Sequence, residues 1–263
     1  MLSRSPEPVP DLNATPMVVQ DAEWARLMRA PSVEALGEEM TPALERVRDW
    51  AAEHIKPYCA TRWSLIDHMD ARSVCLDDGT VIRTGEAYAR KLERCHVESL
   101  IVLGFTLDDA SHEQAKALWD DDRFEESYLL STYSAAVTES LRRSYTRELS
   151  RWASSRGWSL LTPEGPGYND WPTDDLTCLY ECLAGAKDNR LRKHMRVTPE
   201  ATLTPTHSML LVLGVTHRED EMVMRQHEVN PCSRCKLTGC AVRRVPFGYQ
   251  PTTTRLMIRG KES

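Results

Sequence analysis

Three thiols near the C-terminus carry the most explicit chemistry in this chain. Cys232, Cys235 and Cys240 lie in the run Asn230-Pro231-Cys232-Ser233-Arg234-Cys235-Lys236-Leu237-Thr238-Gly239-Cys240. The spacing C-x2-C-x4-C lets two thiolates turn toward one centre, and the turn at Gly239 brings the third to it. Thiolates arranged in this way hold zinc or an iron–sulfur cluster, and spacing alone does not separate the two. The competing reading is a tail of unliganded thiols. Three in nine residues argue against it, because exposed free cysteines are a chemical liability. The motif lacks a fourth ligand. Cys178 or Cys182, one helical turn apart, can supply it; His207 or His227 can do so for zinc; a non-protein ligand or a second subunit is equally open. Arg234, Lys236, Arg243 and Arg244 offset part of the negative charge of such a centre.

A second feature is the loop Pro163-Glu164-Gly165-Pro166-Gly167-Tyr168-Asn169-Asp170-Trp171-Pro172. Its glycines permit positive φ or the close approach of a ligand. Tyr168 and Trp171 can stack on a flat partner. The plainer alternative is a turn whose aromatics pin it to the core.

These residues need elements to position them. A chain of 263 residues, 41% hydrophobic, buries a core without disulfide staples. Residues 1–16, with Pro6, Pro8, Pro10 and Pro16, read as a disordered or loosely docked arm. Helical spacing predicts helices over about 20–28 and about 33–55, the second interrupted near Thr41-Pro42. Residues 62–82 read as short strands with a hairpin turn at Asp78-Gly79. A short helix over 85–94 follows, then a strand over 99–106, apolar enough for burial on both faces. Asp108 and Asp109 open a helix that reaches about Asp120. The longest helix spans about 124–155, with Tyr133, Val137, Leu141, Tyr145, Leu149 and Trp152 in one stripe. Its Arg142, Arg143, Arg147 and Glu148 read as a solvated face. A further helix covers 174–184, and a second apolar strand covers 209–216. Val212-Leu213-Gly214-Val215-Thr216 echoes Val102-Leu103-Gly104-Phe105-Thr106, each with a glycine where something packs closely.

Long helices and separated strands without β-α alternation predict an α+β fold with a mixed or antiparallel sheet, plus an irregular metal-binding C-terminal tail. The expected units are the arm 1–16, a domain over 17–226 and the cysteine-bearing tail 227–263. A net charge of −6 argues against a nucleic-acid partner. The chain has no run of about eighteen apolar residues to span a membrane and no apolar signal core, so a cytoplasmic location is expected. Eight cysteines in a reducing compartment do not predict disulfides, and Cys75 and Cys95 read as small buried hydrophobes.

The loop and the second strand also carry a resemblance. Pro166-Gly167-Tyr168 and Asp170-Trp171-Pro172 are similar to the signature loop of the activation domain of cobalamin-dependent methionine synthase and its stand-alone relatives. Leu203-Thr204-Pro205-Thr206-His207-Ser208-Met209 resembles that family's stretch leading into a strand. The strand Leu103-Gly104-Phe105-Thr106 and the helical Ala135-Ala136-Val137-Thr138-Glu139 fall in the family's order, so the resemblance covers roughly residues 85–217. It implies an α+β domain that binds S-adenosylmethionine and faces a corrinoid, with Pro166, Gly167, Tyr168, Trp171 and Ser208 at the cofactor site. One departure is Pro163, which stands where the family has an arginine and donates no hydrogen bond. The resemblance therefore implies a donor site altered or lost at that point. It also favours an iron–sulfur cluster, [4Fe–4S], over zinc. The implied role is a corrinoid reductive activator or methyltransferase component that relays an electron from a ferredoxin or flavodoxin to a corrinoid protein. An accessory binding module with structural zinc is the alternative, and a methyltransferase for an unknown acceptor ranks behind both.

Overall fold

The structure is a computed structural model that describes residues 9–185, 190–217, 232, 235, 238–240 and 243–248. Its elements run α1 (Asp21–Met28), α2 (Thr41–His54), β1 (Tyr58–Asp70), β2 (Ser73–Leu76), β3 (Val81–Arg83), α3 (Glu86–Arg94), β4 (Ser99–Thr106), α4 (Ala110–Asp120), α5 (Phe124–Ser154), β5 (Ser159–Leu160), α6 (Leu176–Ala184), α7 (Leu191–His194), β6 (Arg196–Val197), β7 (Leu203–Thr204) and β8 (Ser208–Thr216). A six-stranded sheet has the order β3-β2-β1-β4-β8-β5, and its pairings are antiparallel. The α+β class and the antiparallel sheet follow the expectation.

The two apolar runs become the central strands. Every residue of β4 is buried, and β4 pairs with β8 from Ser99↔Val215 to Thr106↔Ser208. The echoing segments are thus antiparallel neighbours. Alternation sends Leu100, Val102, Leu210 and Val212 to one face, where α3 and α6 contribute Tyr88, Leu92, Leu179 and Leu183. It sends Ile101, Leu103, Phe105, Leu211 and Leu213 to the other, under Val137, Leu141, Tyr145 and Leu149 of α5. The two glycines serve close packing. A Cβ on Gly104 would sit 2.6 Å from a Leu183 methyl, and one on Gly214 would sit 3.0 Å from a Leu92 methyl. A third cluster joins α1, α2, α4 and the start of α5 around Trp24, which is fully buried.

Several expectations are corrected. Pro42 starts α2 instead of interrupting a longer helix, because the first turn of a helix tolerates a missing N–H. The strand β1 is 13 residues long, where sequence alone showed only short pieces. The part of the arm that is described is firmly docked: Leu12 is buried, and the Asn13 side chain exchanges two hydrogen bonds with the backbone of Cys59, at 2.8 and 3.0 Å. Cys95 is buried as expected, but Cys75 is only half-buried. It lies on β2 between the core residues Val74 and Leu76, so its side chain points away from them. Among the described residues no helix is long and apolar enough to cross a membrane.

Candidate metal and cofactor site

The segment after α5 runs along the free edge of β8. Leu160 pairs with Val215 and Glu164 with Val212, and a buried ion pair, Lys91–Glu164 at 2.7 Å, ties this edge to α3. The chain then turns sharply. Gly167 takes φ +91°, which favours glycine, and its N–H donates to Trp171 O at 2.8 Å. The turn straddles the sheet. Tyr168 packs on the α5 face, whereas Trp171 enters the core of the opposite face, 3% exposed and stacked on Tyr88 at 5.0 Å. The Asp170 carboxylate accepts from the Ala87 N–H at 3.1 Å and so satisfies an open donor in the first turn of α3. Trp171 is therefore a core anchor and not a wall of an open groove. Pro166 and Gly167 remain at the surface beside Tyr168. Ser208 is occupied structurally: its hydroxyl lies 2.8 Å from the Thr106 hydroxyl and donates to Pro205 O at 2.7 Å.

The described part of the tail comes back onto α1 and α5. The Arg243 guanidinium donates to the carbonyls of Cys232 (2.8 Å) and Cys235 (2.9 Å). The backbone N–H of Arg244 donates to Cys232 Sγ at 3.4 Å. The Arg244 side chain reaches two buried carboxylates, Glu23 of α1 at 2.6 Å and Glu139 of α5 at 3.3 Å. Arg26, Arg142 and Arg143 complete this network, at 2.6 Å from Glu23, 3.1 Å from Glu139 and 3.5 Å from Glu23 respectively. Burial opposes the charge on Glu23, but hydrogen bonds from Arg26 and Arg244 outweigh it and hold its carboxyl below the usual range. Burial likewise opposes the charge on Arg142, and Glu139 more than offsets it, so its pKa rises. Burial pushes the Tyr168 phenol up to about 12; Arg142 pulls it back, while Glu139 and the sulfurs of Cys232 and Cys235 push it further up. Tyr168 and the tail cysteines thus share one electrostatic neighbourhood.

This arrangement corrects the reading of Arg142 and Arg143 as a solvated helix face. They turn toward Glu139 and Glu23, and of that group Arg147 is the exposed one. The partner of Arg142, Glu139, lies one turn away on α5, but Glu23, the partner of Arg143, lies on α1 and is remote in sequence, so helical phase gave no sign of it. Arg244 was visible as a cation near the thiols, but not the buried carboxylates it meets.

None of the eight cysteines is joined in a disulfide. Cys178 and Cys182 of α6 belong to the opposite side of the sheet from α5. The Cys182 thiol lies among Arg62 and the core of the α3–α6 face, and burial pushes it up to about 11. The Cys178 thiol donates to Val81 O at 3.0 Å. The sheet thus lies between both thiols and the part of the tail, Arg243 and Arg244, that packs on α1 and α5. His207, the zinc alternative, lies at the start of β8, where burial and His112 bring its pKa down to about 4. His227 lies outside the described residues. Among the described residues one set of three ligand-type side chains is gathered with all donor atoms within 4.8 Å of one another, and it is not in the tail: Asp67, His68 and Cys75.

No protein-family model matches the chain, and no curated protein matches it either. Among solved structures the chain is similar to one described as the crystal structure of the MetH reactivation domain bound to AdoHcy, with a TM-score of 0.49 and 10% sequence identity, over 74% of this chain and 70% of that chain.

Proposed function

We propose that this chain is an activation partner of a corrinoid-dependent methyltransferase system. Cys232, Cys235 and Cys240 hold an iron–sulfur centre of the [4Fe–4S] type, which supplies one-electron chemistry when bound. Pro166, Gly167 and Tyr168 present the surface that meets the corrinoid of a separate protein. One electron from a low-potential donor of the ferredoxin or flavodoxin class takes that corrinoid's cobalt from Co(II) to Co(I).

The return of the tail onto Tyr168 carries this reading. The thiol motif and the Gly-Pro-Gly-Tyr loop are more than sixty positions apart in sequence, yet Tyr168 feels the charges of Cys232 and Cys235. The donor set fits a thiolate-held anionic centre. Cys232 Sγ already accepts an N–H from Arg244, and Arg243 fixes the carbonyls of both Cys232 and Cys235. Around them, four guanidiniums (Arg26, Arg142, Arg143 and Arg244) face two carboxylates, Glu23 and Glu139, which leaves positive charge to balance thiolates and cluster. The reading assigns no S-adenosylmethionine site. Pro163 is buried and donates nothing, and Arg142 and Arg244 are committed to the glutamates.

Anaerobic purification with iron, sulfide and zinc measured together tests the proposal. About four irons and four sulfides per chain, with a broad absorbance that bleaches on dithionite, are expected. The reduced, desalted protein should then remove the Co(II) electron paramagnetic resonance signal of added cob(II)alamin. One zinc with a featureless spectrum overturns the redox role and leaves an accessory module with structural zinc.

A further inference from the structure

The geometry points to a second metal site, separate from the tail: Asp67, His68 and Cys75 on the β1–β2 hairpin form a three-ligand site for one zinc-class divalent ion, with a fourth position left to water.

Strand register makes this site. Along a regular strand, Asp67 and His68 would point to opposite faces. Here the pairing runs Ile66↔Leu76 and then His68↔Cys75, so Asp67 is the extra residue of a bulge. The core confirms the shift in parity. Ile66 and Met69, three apart, both pack on the α3–α6 core together with Val74 and Leu76. Asp67 and His68 lie between the first two, and Cys75 lies between the second two. All three are therefore turned to the outer face of the hairpin, where the donor atoms lie within 4.8 Å of one another. Asp67 Oδ2 is 3.0 Å from His68 Nδ1, which orients the ring.

The donors select the ion. A thiolate and an imidazole disfavour magnesium and calcium, which prefer oxygen, and suit zinc and its late first-row neighbours. One carboxylate and one thiolate neutralise a divalent charge, so binding creates no unbalanced charge. The side chains of Asp67 and His68 are 67% and 59% exposed. An ion held there keeps a solvent-facing position, as zinc sites with three protein ligands do.

The test uses the full chain carrying Cys232→Ala, Cys235→Ala and Cys240→Ala, so that the tail contributes no thiolate and the outcome is independent of the role proposed for it. Titration with cobalt(II) should give visible bands of a four-coordinate ion and a thiolate-to-cobalt charge-transfer band, saturating at about one equivalent and displaced by zinc. His68→Ala and Cys75→Ser should abolish the charge-transfer band, and Asp67→Asn should weaken binding at least tenfold, about the least that loss of even an outer-shell partner costs a metal site. Asp67 and His68 are exposed and Cys75 is half-buried on the face away from the core, so circular dichroism of the variants should match the parent. A charge-transfer band that survives Cys75→Ser, the absence of such a band in the parent, or saturation only above about millimolar cobalt overturns the site.

Discussion

The C-terminal cysteine segment and the β1–β2 hairpin bring ligand-type residues together by opposite routes. The segment relies on sequence spacing: Cys232, Cys235 and Cys240 lie within nine residues and need only local turns to meet. The hairpin does so by register: His68 and Cys75 meet only because two strands pair with a bulge at Asp67. Their surroundings differ in the same sense. The segment is anchored through Arg244 to Glu23 and Glu139, both buried. The hairpin trio stands on an exposed face and is paired mainly within itself. Occupancy of the tail site should therefore be coupled to the integrity of the domain, whereas occupancy of the hairpin site should be nearly independent of it.

The most severe test separates the two by composition. Replacing Cys232, Cys235 and Cys240 together should remove all iron from the anaerobically purified protein while leaving cobalt binding at the hairpin intact. Loss of both, read by metal analysis and by the charge-transfer band, would show that the two regions are one system. The next test removes the anchor. Removing one partner of a buried ion pair leaves a buried charge uncompensated and costs about 3–5 kcal/mol. Glu23→Gln with Glu139→Gln should therefore lower stability in urea by about that amount, because Arg142 and Arg244 lose their partners. A change below about 1 kcal/mol, the range of exposed pairs, would mean that the network contributes no more than a surface salt bridge.

A smaller effect follows from pH. The Glu23 carboxyl is held below its ordinary value of 4.5. A carboxylate with a depressed folded pKa contributes stability that is fully present above the ordinary value and is lost as pH falls through the folded one. The Arg244 contact should thus be unchanged between about pH 6 and 8 and should weaken as pH falls below about 4.5. Hydrogen exchange over residues 243–248 would read it. Release that begins above about pH 5.5 would assign the anchor to another group.

The fold was legible where one element settled its own burial. Leu100–Phe105 and Leu210–Val215 are apolar apart from Gly104 and Gly214, so two doubly buried strands follow directly, and the stripe from Val137 to Trp152 marks its helix. The strand β1 was hidden because it carries Arg62 inward. That guanidinium is satisfied by Cys182 O at 2.6 Å and by Asp78, partners on another helix and on a turn. The same distance effect governs the site. Trp171, next to Asp and Pro in a Gly-rich loop, looks like a surface aromatic until Tyr88 is placed against it. Arg142 looks solvated until Glu139 and the tail close over it. The cysteine motif was readable because its spacing is local. The hairpin trio was not, because a bulge leaves no mark that distinguishes Asp67 from any other polar residue in a strand.

The smallest expected effect is also the sharpest separation of the two regions. Without metal, Asp67→Asn and Cys75→Ser should each change stability by less than about 0.5 kcal/mol, the usual range for surface positions. Neither side chain supports the core: Val74 and Leu76 do that on the opposite face of the same strand. With zinc present, the parent should gain stability with ligand concentration by mass action, and the two variants should gain little. The urea midpoint measured with and without zinc, in the chain that lacks the tail cysteines, gives this difference directly. A metal-free loss of more than about 1 kcal/mol in Cys75→Ser would assign that thiol a packing role, and the contrast between a tail coupled to the fold and an independent hairpin would not hold.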